Sequence, residues 1–143
     1  MLTHAQRLRA YTLTILGLVI VSAVFFNIGA RSRLSDIRLM NDVRSFSNAL
    51  ERYKLAYWSY PEGSLDLRDD VVLSENGFAR GRVMYYSGAM RSVQKVLFEG
   101  NADGYRLTFT FRSAWPEQGI MERKCVMTTL AQLQCGEAQN RGS

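Results

Sequence analysis

The sequence predicts an α+β fold in which a long N-terminal helix, membrane-spanning in its first half and amphipathic in its second, packs on a small antiparallel β-sheet. Three observations carry this. Residues 10–30 form an uncharged run of membrane length. The chain from there to Pro61 contains no proline and keeps a helical apolar period. Beyond Pro61 the period shortens towards two, most clearly in Tyr105–Arg112.

From Ala10 through Ala30 the only ionisable side chain is Tyr11, and the run is bracketed by Arg7 and Arg9 before it and Arg31 and Arg33 after it. At a rise of ~1.5 Å per residue it covers about 30 Å, the hydrocarbon thickness of a bilayer. A core helix of a small soluble domain has no need to be apolar on every face for that length. A cleaved secretory signal is the competing reading, with residues 1–9 as its n-region and Ile28-Gly29-Ala30 as an imperfect cleavage site. The run is longer than most h-regions, and cleavage would free a helix whose continuity argues for anchoring.

Past the arginines, Leu39, Val43, Phe46, Leu50, Tyr53 and Tyr57 recur three or four residues apart, which places them on one helix face. Arg38, Asn41, Arg44, Ser45, Ser47, Asn48 and Glu51 occupy the other faces. The stripe is therefore expected to hold the helix against the rest of the chain. A two-stranded coiled coil would use similar spacing, but the stripe is shorter than three heptads and ends in aromatic residues, which favours packing within the chain. Pro61 disfavours the α region at Tyr60 and is the expected stop.

The segment Asp42-Val43-Arg44-Ser45-Phe46-Ser47-Asn48-Ala49-Leu50-Glu51-Arg52-Tyr53, followed by Tyr60-Pro61, resembles the helix end of bacterial type IV pilins and type II secretion pseudopilins. The start of the apolar run is similar to that family's processing signal: a short basic leader, residues 1–10, followed by Tyr11-Thr12-Leu13-Thr14-Ile15. The resemblance implies cleavage between Ala10 and Tyr11 by a prepilin peptidase. It further implies assembly with other pilin or pseudopilin subunits on a membrane platform, and a head outside the cytoplasmic membrane. Two positions depart from the pattern. Ala10 stands where the peptidase prefers Gly, and Ile15 where most subunits carry the Glu that pairs with a neighbour's amine. The resemblance covers about the first 61 residues. It divides the chain into a leader (1–10), a transmembrane helix (11–30), a stalk helix (31–60) and a β-rich head (61–143).

Charge is unevenly placed. Residues 1–57 hold eight Lys/Arg against three Asp/Glu, whereas residues 58–143 hold ten of each. The basic pI of about 9.5 therefore belongs to the membrane-flanking helix. Arg31, Arg33 and Arg38 suit lipid headgroups. Because the arginines spread over several helix faces, nucleic acid is not an expected partner. Lys/Arg counts beside the apolar run would, taken alone, favour the head inside the cell. Against that count stand the ease with which long C-terminal domains translocate, the family resemblance, and the two cysteines. Cys125 and Cys135, with nine residues between them, could staple a hairpin in an oxidising compartment; two separate buried thiols are the alternative.

After Pro61 the expected elements are short. Pro61–Ser64 reads as a turn and Leu65–Asp70 as a polar connection. Val71–Leu73 reads as a short strand or helical turn, Val83–Tyr86 as a strand, and residues 88–99 as ambiguous between helix and strand. Gly100–Gly104 is the strongest turn signal. Tyr105–Arg112 alternates as a strand with one wet face, its Tyr105, Leu107, Phe109 and Phe111 side meeting the stalk stripe. Residues 115–119 turn the chain, Met121–Thr128 returns antiparallel, Leu130–Cys135 adds a last strand, and residues 136–143 form a tail. An antiparallel sheet of three or four strands is expected.

The sequence points away from catalysis. The single histidine, His4, lies in the leader, so the head lacks the base of a Ser-His-Asp or Cys-His mechanism. No phosphate-loop or metal-ligand spacing occurs, and no cofactor is expected. Asp66, Asp69 and Asp70 could contribute to a calcium loop, but Arg68 interrupts them and a solvated turn is the plainer reading. Tyr53, Tyr57, Trp58 and Tyr60 are expected to pack where the helix meets the head. The function expected is that of a minor or atypical filament subunit that assembles through Tyr11–Ala30. A non-polymerising, membrane-anchored binding or sensory module is the alternative.

Overall fold

A computed structural model describes residues 4–92, 94–118, 120 and 122–136, and of residues 4–10, 27–29 and 118 the backbone alone. One long apolar helix at the N-terminal side and an antiparallel sheet make the fold α+β. The helix α1 runs His4–Tyr57. Strands follow at Gly63–Asp66 (β1), Val71–Ser74 (β2), Met84–Gly88 (β3), Leu97–Gly100 (β4), Tyr105–Thr110 (β5), Lys124–Thr128 (β6) and Gln132–Cys135 (β7). The structure separates into two compact units, Met1–Leu34 and Ser35–Ser143.

In the second unit, five strands form one antiparallel sheet in the order β1-β4-β5-β6-β7, and β2 pairs with β3 as a separate hairpin. The registers align one apolar residue from every strand of the large sheet into a single row: Leu65, Phe98, Leu107, Met127 and Leu133. Phe109 and Tyr105 flank this row on the same face and are buried, while Arg106 on the opposite face is exposed. That is the pattern of a sheet with one packed and one wet side. The packed side receives residues Leu39–Tyr53 of α1.

Several expectations change. The sheet that receives the helix has five strands, not three or four, and β2 and β3 form a separate pair. Residues 63–66, read as turn and polar connection, form β1, because pairing with β4 supplies the strand character that Gly-Ser-Leu-Asp lacks. The ambiguous stretch before Gly100 is a strand from Leu97. Pro61 does not stop the helix. The helix ends at Tyr57, and the chain turns at the very next residue, Trp58 at φ 63°, whose N–H closes on the Lys54 carbonyl at 2.7 Å. A left-handed residue at this position is ordinarily glycine; a tryptophan there costs about 1–2 kcal/mol. Pro61 acts one step later. Its carbonyl lies 2.6 Å from where a Cβ on Gly100 would stand, so only glycine admits the chain at that crossing. Gly119 of the expected turn, Met121 of the expected return, and the tail from residue 137 lie outside the described residues.

Candidate functional site

The first unit presents a surface rather than a cavity. Between Tyr11 and Phe26 every side chain is exposed, the large apolar ones from 53% (Val21 and Val24) to 83% (Phe26). Leu13, Ile15, Leu16, Leu18, Val19, Ile20 and Phe25 cover all faces of the helix, so no rotation could bury them against a single partner surface. Each such side chain gains about 1.5–3 kcal/mol on leaving water. The helix is long and apolar enough to cross a membrane near the N-terminus. Its backbone supports this, since a helix satisfies its own N–H and C=O groups in an apolar medium. Ser22 does the same for its hydroxyl, which donates to the Leu18 carbonyl at 2.8 Å. Ala10 and Tyr11 both lie within α1, and the Tyr11 ring is exposed.

In the second unit the same helix behaves oppositely. Leu39, Val43, Phe46, Leu50 and Tyr53 are buried. Phe46 is the centre of the seat, with edge-on ring contacts to Phe98 of the large sheet at 5.8 Å and to Tyr86 of the β2–β3 hairpin at 4.9 Å. It therefore joins both sheets to the helix. Tyr57, the sixth residue of the expected stripe, stays 40% exposed. It reaches only the margin, where its ring meets Tyr53 and Tyr85. A hydrogen bond with the Tyr85 hydroxyl, followed by partial burial, pushes the Tyr57 phenol up to about 12.

Three polar groups pin this half of the helix. Asp36 is buried, and its Oδ1 accepts from the Arg112 backbone N–H at 2.7 Å while Oδ2 accepts from the Ser113 N–H at 3.0 Å and its Oγ at 2.9 Å. Ser47, placed on the polar side by the sequence pattern, is fully buried and shares a 2.7 Å hydrogen bond with the Tyr105 hydroxyl. Glu51, also expected on the polar side, is half-buried and gathers three donors: the Tyr60 hydroxyl at 2.9 Å, the Tyr105 hydroxyl at 3.2 Å and the Leu130 N–H at 3.0 Å. Burial, then the Glu51 carboxylate, raises the Tyr60 phenol; burial likewise pushes Tyr105 up to about 12. Sequence reasoning missed Asp36, although a signal exists. Asp36 stands three residues before Leu39 and is in phase with the apolar stripe, where a carboxylate persists only if the fold supplies donors.

The aromatic cluster divides. Tyr60 is buried against Tyr105 at 5.1 Å, with Lys54 Nζ 4.6 Å over its ring. Trp58, expected to pack, is 90% exposed because its left-handed backbone turns it away from the sheet. Cys125 and Cys135 sit opposite one another in the β6–β7 register and are joined as a disulfide. They cross-link the last two strands behind the buried Phe109 position. Asp66 is engaged by Arg68, which donates through Nε and Nη2 at 2.7–3.1 Å and holds the carboxyl below its usual range. Among the described residues no three His, Cys, Asp or Glu side chains group as a metal site.

Comparison with protein families, with curated proteins and with solved structures found no match to this chain.

Proposed function

We propose that this chain is a pilin-like or pseudopilin-like structural subunit, of a minor or atypical kind, that sits in the cytoplasmic membrane with its head outside and assembles through its apolar helix. One observation carries the reading: an all-round apolar, exposed helical segment joined in one helix to a stretch seated on a one-sided antiparallel sheet. That combination serves a mechanical role. Residues 11–30 would be solvated by lipid in the membrane and exchange lipid contacts for those of neighbouring helices in a filament. The head would be carried along by the seat at Leu39–Tyr53. Prepilin peptidase and an assembly platform are the implied partners, and the chemistry needed is a single peptide cleavage performed on the chain, not by it.

The decisive experiment places a charge in the bundling segment. Val19→Asp puts a carboxylate at mid-run, where it costs about 2.5–3.5 kcal/mol in an apolar medium. Sheared filament yield is expected to vanish while the head unfolds at the same denaturant concentration as in the parent. Filaments assembling in normal amount would overturn the proposal.

The second reading, a non-polymerising membrane anchor carrying a binding or sensory head, is favoured by Ala10 and Ile15, which depart from the assembly pattern. Mass spectrometry of the mature N-terminus in the native membrane separates the two. A chain starting at Tyr11 supports the subunit, and a chain retaining Met1 supports the anchor.

A further inference from the structure

A small cleft of about 80 Å³ opens within the second unit beside the first residues of its helix, lined by Asp36, Arg91, Ser92, Gln94, Thr110 and Arg112 among others. Its charges are not balanced by neighbours. Asp36 is the acidic residue lining it, and that carboxylate is spent on the backbone and hydroxyl of residues 112–113. The Arg112 peptide is thus used by the fold and its guanidinium is left over. Among the described residues, neither Arg91 nor Arg112 has a carboxylate within ion-pair reach. A third guanidinium, Arg123, donates to the Arg112 carbonyl at 3.4 Å and adds positive charge at the same turn. Ser92 Oγ already accepts from the Gln94 N–H at 3.2 Å, so its proton points elsewhere and is available to an incoming acceptor.

Two guanidinium-bearing residues that line one cleft together with hydroxyl and amide side chains suit a tetrahedral oxyanion, because each guanidinium can present two parallel N–H groups to one phosphate. We propose that this cleft binds phosphate, specifically the phosphodiester of an anionic membrane lipid headgroup. The lipid source follows from the chain itself: Ser35, which also lines the cleft, comes five residues after Ala30, the last residue of the apolar run. Whatever the arrangement of the two units, five residues of chain reach at most about 18 Å, which ties the cleft to the neighbourhood of the point where such a run would leave the hydrocarbon. This assignment rests on the membrane part of the proposed function but not on polymerisation. The cleft would hold the head against the membrane surface until the subunit is withdrawn from it.

The test uses the full chain in neutral detergent micelles, titrated separately with short-chain phosphatidylglycerol, short-chain phosphatidylcholine and inorganic phosphate. Backbone NMR shifts of residues 91–94 and 110–113 are the readout. Saturable shifts with phosphatidylglycerol are expected, weakened about tenfold or more in Arg91→Gln/Arg112→Gln, where charge-assisted bonds are lost. The same titration of Arg52→Gln, which neutralises an exposed helix arginine far along α1, should match the parent. Equal affinity for phosphatidylcholine would overturn the role of headgroup charge, and equal affinity for inorganic phosphate would overturn the lipid source. Absence of saturable shifts, or self-association in the lipid-free protein that the double variant abolishes, would overturn the site altogether. The latter would give the cleft to a carboxylate of a second copy. Each result is independent of whether Val19→Asp blocks filaments, so failure of the cleft and failure of the subunit reading are distinguishable.

Discussion

Residues 11–26 and residues 39–53 belong to one helix, yet they solve opposite problems. The first stretch is apolar on all faces and exposes every large side chain; the second confines its apolar residues to a stripe and buries them. The second unit's part of the helix is also where the anchored polar groups stand. Asp36, Ser47 and Glu51 each find donors on distant strands or loops, whereas Ser22 in the apolar stretch satisfies itself on its own helix. The contrast teaches that a helix's destination is written in where its polar groups look for partners. Ser22 needs no partner beyond its own helix, whereas the seated stretch spends its polar groups on distant strands and loops.

The sharpest way to break this contrast is to remove the centre of the seat. Phe46→Ala leaves a cavity between Phe98 and Tyr86 and is expected to destabilise the head by about 3–5 kcal/mol. Denaturant unfolding of the full chain in detergent checks it. Membrane retention should persist, since residues 11–30 are untouched. This is the mirror image of Val19→Asp, where the head keeps its stability. A Phe46→Ala head as stable as the parent would mean that the helix is not held through this residue.

Asp36 sharpens the comparison on the polar side. Asp36→Ala strands two N–H groups and a hydroxyl and is expected to cost about 3 kcal/mol, because bonds to a charged acceptor are the strong ones. Asp36→Asn keeps one acceptor oxygen and should cost roughly half as much. Amide hydrogen exchange at Arg112 and Ser113 distinguishes a local from a global effect. Protection at both positions is expected to fall first in the alanine variant.

Much of this was legible in the sequence, and the boundary between what was and was not is physical. The apolar run announces itself by its uncharged length, and the stripe and β5 because each repeats a period: Leu39 to Tyr53 at three and four, Tyr105 to Phe109 at two. β1 repeats nothing. Its single apolar residue, Leu65, becomes part of a strand only by lying opposite Phe98, and that pairing is a property of the sheet, not of Gly63–Asp66. Trp58 was misplaced for a related reason. Tyr53, Tyr57, Trp58 and Tyr60 share a composition, but one left-handed residue sends Trp58 outward while Tyr60 turns in. The role of Asp36 depends on residues 112–113, more than seventy positions away, so the sequence could mark it as out of place but not say what it holds.

The remaining prediction concerns the far end of the seat, where Tyr105 and Tyr60 meet Glu51. Burial is the main reason both phenols are raised, and the adjacent carboxylate adds to it, since a phenolate beside Glu51 would place two negative charges together. The sign is set by which form the fold prefers. The folded head holds the neutral phenol of Tyr105 up to about 12, against an ordinary value of 10.0, so it binds this proton more tightly than the unfolded chain does. Stability from this group is therefore complete below about pH 10 and is lost as pH rises towards about 12, by about 2 kcal/mol for Tyr105. Tyr105→Phe gives the discriminating control. It forfeits the bonds to Ser47 and Glu51 and should be about 1 kcal/mol less stable near neutrality, yet decline less steeply through the alkaline window. Urea midpoints followed by tryptophan emission across that range read both effects. Parallel alkaline declines in parent and variant would show that this end of the helix is held by packing alone, and that the polar pins which distinguish the seated half from the exposed apolar half act only at Asp36.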